Sequence, residues 1–118
     1  MNSKQLTGIL GEMAAAGYLK RTGYSILGKN YRCIFGEIDI IALKEKTIHF
    51  IEVKTRKSIE FGEPSESIDF FKLEKIKKCA WHYLFSNNCP DHQVAFDAVL
   101  IIRQKNRTSI EFIEDIIR

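Results

Sequence analysis

The sequence predicts an α/β fold, a β-sheet with helices packed against it, and three observations carry that reading. Apolar periodicity changes along the chain in the order α-β-β-β-α-β-β. The second and third strands carry apolar residues on both faces: Ile38, Ile40, Ile51 and Val53 on one, Ile41, Leu43, Ile48 and Phe50 on the other. A strand apolar on both faces is covered on both faces, so helices should flank the sheet. The length of 118 residues is enough for one hydrophobic core and not two, so residues 1–118 form a single domain.

The first helix runs from about Ser3 to Arg21, with Ser3 as its cap and Gly23 just beyond its end. At helical spacing Ile9, Glu12, Ala16 and Leu19 share one stripe beside Leu6, Leu10 and Met13, which sets Glu12 among apolar neighbours. Tyr24 to Arg32 reads as the first strand, Gly36 to Leu43 as the second and Thr47 to Arg56 as the third. Lys57 to Ser67 contains Gly62, Pro64 and three serines, the composition of a loop. A second helix follows from about Ile68 to Phe85, with Phe70, Leu73, Ile76, Ala80 and Leu84 as its core stripe and Lys72, Lys75 and His82 on an adjoining face. Asn87 to His92, with Pro90, breaks it. Gln93 to Arg103 and Ser109 to Ile117 are two late strands around the polar turn Gln104 to Arg107.

Hydrophobic content of 45% and charged content of 28% belong to an ordinary globular protein. No stretch approaches the ~20 apolar residues that span a bilayer, so no membrane partner is expected. The N-terminus lacks the apolar run of a signal peptide, which leads to the expectation of a cytoplasmic location. Cys33, Cys79 and Cys89 are odd in number and widely spaced, against a disulfide framework. Cys79-x-x-His82 and Cys89-x-x-His92 read either as four zinc ligands or as two half-buried cysteines with two surface histidines. The mixed ligand pairs, one on a helix, favour the second reading. The net charge of +3 does not make a polycation. The basic residues are nevertheless clustered, at Lys20-Arg21, Lys29 with Arg32, Lys54 to Lys57, Lys72 to Lys78 and Arg103 to Arg107, as suits a polyanionic partner.

The charges inside the central hairpin need a reason, because a charge buried in a strand is costly unless it is paired or holds a metal. A two-residue turn at Glu45-Lys46 pairs Leu43 with Ile48 and sets Asp39 opposite Glu52. Opposed residues of an antiparallel pair share a face, with Cβ atoms about 4.5–5.5 Å apart. Lys54, two residues beyond Glu52, shares it too. The same register offers a plain Glu37–Lys54 salt bridge, but that leaves Asp39 facing Glu52 with no cation between them, which is unfavourable unless one protonates or a metal binds. The metal-site reading is therefore preferred, with Asp39 and Glu52 as the ligands of Mg²⁺ or Mn²⁺, and with Glu12 reaching in from the first helix.

Asp39, Glu52 and Lys54 on a hairpin that follows a helix bearing Glu12 resemble the PD-(D/E)XK nuclease pattern. More closely, the chain resembles the YraN family of endonuclease-like bacterial proteins. The matching residues include Gly11-Glu12, Ala15, Leu19, Gly23-Tyr24, Asn30, Arg32, the Gly36–Ala42 and Phe50–Arg56 runs, Phe61-Gly62, Pro64, Lys72, Ala80, Leu84 and Phe96-Asp97. They run from Gly11 to Asp97, about three-quarters of the chain. The order of charges is also similar to that of archaeal Holliday-junction resolvases. Two positions depart from the pattern: Ile38 stands where the superfamily motif has its proline, and Ala95 where an arginine is usual before Phe96-Asp97. The resemblance implies a restriction-endonuclease-like αβββαβ(β) core with a mixed sheet.

Together these readings give the expected function, an Mg²⁺-dependent nucleic-acid phosphodiesterase, endonuclease-like and suited to branched or damaged DNA. Asp39, Glu52, Lys54 and Glu12 are the expected catalytic residues. Arg32, Arg56 and Lys72 are the expected phosphate contacts, which give affinity without a sequence code. So small a chain leaves recognition to shape, to a homodimer or to a protein partner that supplies specificity. The alternatives are a non-catalytic nucleic-acid-binding module that keeps the fold, and a structural protein in which these charges form a salt-bridge network.

Overall fold

The structure, a computed structural model, describes residues 2–56, 70–89 and 92–117. The expected loop from Lys57 to Ser67, the expected start of the second helix at Ile68, the Phe70 side chain and Pro90 lie outside the described residues. Within them the order of elements is the expected one: α1 (Ser3–Arg21), β1 (Ser25–Cys33), β2 (Gly36–Lys44), β3 (Thr47–Arg56), α2 (Phe70–Ser86), β4 (Gln93–Gln104) and β5 (Arg107–Ile113). The strands form one sheet in the order β1-β2-β3-β4-β5. It is mixed: β3 and β4 run parallel, and the other neighbours are antiparallel. The parallel step needs a long crossover, and α2 lies on it.

The helices cover opposite faces of the sheet. Ala15, Ala16 and Leu19 of α1 pack on Ile40, Ala42, Ile51, Val99 and Ile101. Ile76, Cys79 and Ala80 of α2 pack on Ile38, Ile41, Ile48 and Phe50. Ile38 thus sits on the α2 side, not with Ile40 as strict alternation predicts. The alternation breaks at Asp39, where the ladder to β3 has already ended at Ile40–Ile51, while β2 continues to pair with β1 as far as Gly36. At this end, then, β2 stays with β1 and leaves β3. Among the described residues no helix is long and apolar enough to cross a membrane.

Three further features depart from the expected pattern or add to it. Asn2, not Ser3, caps α1: its side chain accepts the Gln5 N–H at 2.8 Å, and the Gln5 side chain accepts the Asn2 N–H at 3.2 Å. A Gln three residues after the cap completes a reciprocal capping box, which Ser3 cannot form from inside the helix. Second, the first half of α1 does not join the core: Leu6, Ile9, Leu10 and Met13 stay exposed. Close contact begins at Gly11, where an added Cβ would stand 2.3 Å from Thr55 Oγ1. Third, β5 stops at Ile113 instead of Ile117, because the chain turns back onto β4. There the Asp115 N–H donates to Asp97 Oδ1 at 2.9 Å, and the Ile116 N–H to the Phe96 carbonyl at 2.7 Å.

Candidate functional site

The parting of β2 from β3 puts Asp39 beside a stretch of β3 it no longer pairs with as a strand. In place of a ladder bond, Asp39 Oδ2 accepts the Val53 N–H at 2.8 Å. A residue's N–H and C=O leave a strand on the same side, so the Val53 carbonyl faces this gap as well. Glu52 is buried on β3, and two lysines meet its Oε1: Lys54 Nζ at 3.4 Å and Lys72 Nζ, from α2, in a close ion pair.

The electrostatics follow from that crowding. Burial, with the Glu52 charge next to it, pushes the Asp39 carboxyl up to about 7 against the stabilising Val53 N–H, and the charges of Glu12 and Glu37 add to the shift. Burial and the neighbouring Lys72 cation pull Lys54 below the ordinary lysine range, against the pull of Glu52. Burial lowers Lys72 too, but its bonds to Glu52 and Lys54 and the charges of Glu52 and Asp39 outweigh that and raise it. Of the two lysines, Lys54 gives up its proton more readily.

Two cavities meet at this pair of carboxylates. One, of about 720 Å³, lies between α1 and the ends of β3 and β4; Glu12, Lys54, Arg56 and Arg103 line it with Asp39 and Glu52. The other, of about 490 Å³, lies under α2; Glu37, Lys72 and Lys75 line it with the same Asp39 and Glu52. Glu12 therefore faces the site and not open solvent, because the Gly11–Thr55 contact brings its turn of α1 down onto β3.

The structure thus brings together Asp39, Glu52, Lys54, Glu12, Arg56 and Lys72. Lys72 stands closer than a peripheral phosphate contact would, directly on Glu52. Arg32 is not brought in: it lines neither cavity and pairs on the outer strand with Glu37 at 3.5 Å, its side chain 77% exposed. Glu37 accordingly bonds to Arg32 and not to Lys54, since β2 faces β1 there. Arg103 and Lys75 line the cavities although neither is among the expected site residues. The basic runs in the sequence contain both, but only the parallel β3–β4 register, with Arg56 beside Ile102, shows that Arg103 ends at the site.

The donors in the gap are hard oxygens, two carboxylates and a peptide carbonyl, which suit a hard divalent cation. Among the described residues no three His, Cys, Asp or Glu side chains form a metal-binding group, so Glu12 is not a third direct ligand in this geometry. The four-ligand zinc reading fails for the same reason. Cys79 Sγ lies 3.1 Å from Cys33 Sγ, and His82 Nδ1 bonds to the Tyr31 hydroxyl.

A model of the uncharacterised protein family UPF0102 matches residues 11–101. The UPF0102 protein of Caldicellulosiruptor bescii is 48% identical over 118 residues, covering 98% of each chain. That of Caldanaerobacter subterraneus subsp. tengcongensis is 44% identical over 115 residues, covering 98% of this chain and 94% of the relative. That of Chlorobium phaeobacteroides is 50% identical over 97 residues, covering 82% and 76%.

Proposed function

This chain belongs to the uncharacterised protein family UPF0102, and we propose that it is a divalent-metal-dependent nucleic-acid phosphodiesterase of the PD-(D/E)XK type. The observation that carries the reading is the Asp39–Glu52 pair itself. Two carboxylates share a half-closed gap in a sheet, and one is pushed up to about 7 by burial and by the other. The two lysines on Glu52 leave Asp39 disfavoured as a carboxylate; a cation between the two carboxylates turns that repulsion into binding.

Asp39, Glu52 and the Val53 carbonyl are the groups that would hold Mg²⁺ or Mn²⁺, leaving several coordination positions to water, as Mg²⁺ prefers. When bound, such an ion polarises the phosphoryl oxygen and lowers the pKa of water. The chain's own residues divide the remaining work. Lys72 keeps its proton and fixes the Glu52 carboxylate by an ion pair from α2. Lys54, the more weakly basic of the two, faces the same cavity as Arg56 and Arg103. There it stabilises charge developing on the phosphate, or exchanges a proton with the attacking water. Glu12, across that cavity, orients water at its α1 wall. Arg56 and Arg103 hold the substrate backbone.

The test is a cleavage screen over single-stranded, duplex and four-way-junction DNA and over RNA, with Mg²⁺ or Mn²⁺, for the wild type and Lys54→Ala. The expected result is metal-dependent cleavage that Lys54→Ala slows about 10²–10³-fold with little change in affinity. Binding without cleavage under every metal would favour a non-catalytic binding module. A Lys54→Ala protein that differs only in melting temperature would favour a salt-bridge network.

A further inference from the structure

The two cavities lie on opposite faces of the sheet. The larger is walled by α1, which packs on one face. The smaller is walled by α2, which packs on the other. They share Asp39 and Glu52, and they do so because β2 leaves β3 at that end: the last β2–β3 pair is Ile40–Ile51. The carboxylates therefore stand in a notch in the sheet, reachable from both sides.

Each side carries its own cations. On the α1 side Arg103 ends β4, following the buried, α1-facing Val99 and Ile101 by alternation, and lines the larger cavity. On the α2 side Lys75 lies one helical turn after Lys72, on the same helix face and in the same cavity. Cations on one side only would fit a substrate that ends at the carboxylates. Cations on both sides fit a chain of phosphates that continues past them. The notch is the space left where β2 parts from β3 beyond Ile40–Ile51, and neighbouring strands of a sheet lie about 5 Å apart, so a single nucleic-acid strand fits across it and a double helix does not.

We infer that the substrate is an unpaired stretch of a nucleic-acid strand that crosses the notch from one face of the sheet to the other. It is cut at an internal phosphodiester, with Arg103 on one flanking phosphate and Lys75 on the opposite flank. This rests on the phosphodiesterase reading, and it assigns roles to Arg103 and Lys75 as substrate-positioning residues. The bond broken is a P–O ester; water supplies the oxygen that replaces it, and the leaving oxygen takes up a proton.

The experiment has two arms. In the first, circular single-stranded DNA, which has no ends, is compared with the same strand made linear, with Mn²⁺ present. Cleavage of both at similar rates is expected. In the second, short single strands carry one uncharged methylphosphonate linkage on either the 5′ or the 3′ flank of the cleaved bond. Arg103→Ala and Lys75→Ala should each raise KM severalfold on the all-phosphate strand. Each should lose that effect when one flank is neutral, and the two variants should respond to opposite flanks. Cleavage only of the linear strand, or both variants answering to the same flank, overturns the inference and leaves the phosphodiesterase reading intact. Absence of cleavage on every substrate overturns both.

Discussion

Asp39 holds a carboxyl where its charge is disfavoured, and that has a measurable consequence for folding. Its pKa lies at about 7 in the folded chain against an ordinary value of 3.8. Between those values the folded state binds the proton and the unfolded state does not. The stability that this protonation confers is complete below the lower value and is lost as pH rises through about 7. Asp39→Asn keeps an acceptor for the Val53 N–H and removes the charge, so the variant should lack this loss. The measurement is melting temperature between pH 5 and 8: the wild type should fall relative to Asp39→Asn as pH rises, and Mg²⁺ should reduce the fall in the wild type and not move the variant. Parallel curves for the two proteins, with and without metal, would remove the site as described. Lys54 and Lys72 show what a sequence can and cannot say at this scale. Glu52-x-Lys54 on one strand is visible in the chain, because alternation puts both side chains on one face. That Lys72 bonds to the same carboxylate depends on how α2 docks, which no local pattern encodes. Arg32 illustrates the converse: a basic residue in a matching motif ends on the outer strand, exposed and beside Glu37.

At the scale of elements, what a sequence shows well is what repeats. The ranges of α1 and β3 and the Leu43–Ile48 hairpin register follow from periodicity and a turn, and the structure has them. What periodicity misses is the place where an element stops being regular. Strict alternation put Ile38 with Ile40, but β2 changes partner allegiance at Asp39, and that irregularity is what opens the notch. Likewise the apolar stripe runs along all of α1, but Leu6, Ile9, Leu10 and Met13 stay exposed and the close approach to β3 comes at Gly11. Gly11 and Gly8 make this testable. An added Cβ at Gly11 would meet Thr55 Oγ1 at 2.3 Å, whereas at Gly8 it would meet nothing within 4 Å. Thr55 is β-branched and stiff at χ1, so α1 must shift and carry Glu12 with it. Gly11→Ala should therefore cost about 1–3 kcal/mol of stability and slow cleavage. Gly8→Ala, at an open helical position, should add about 0.5–1 kcal/mol. Denaturant unfolding of the two variants decides it: equal effects would mean that helix and strand are not in close contact.

For the molecule as a whole, net charge is a poor guide to its partner. Eighteen lysines and arginines against fifteen acidic residues leave +3, too little to bind a polyanion by overall attraction. What matters is where the excess sits, and the fold sorts it: Arg103 on one side of the notch and Lys75 on the other, with Arg32 away on the outer strand. If nucleic acid is held by those few cations, binding must weaken with salt along a log–log line whose slope counts the phosphates neutralised. With only a handful of cations at the notch that slope should be shallow, and each cation should contribute to it separately. Arg103→Ala should lower the slope by about one and weaken binding to strands of different sequence alike, since a phosphate contact carries no code. Arg32→Ala removes the same formal charge from a place outside both cavities, so the slope should not change, although the net charge falls equally. Equilibrium binding of a short single strand in Ca²⁺, across a salt series, compares the two. Equal loss in both variants would mean that the chain attracts nucleic acid by its overall charge and that the notch has no special claim on the phosphates. Loss confined to Arg103→Ala would tie binding to the same opening in the sheet that exposes Asp39 and Glu52.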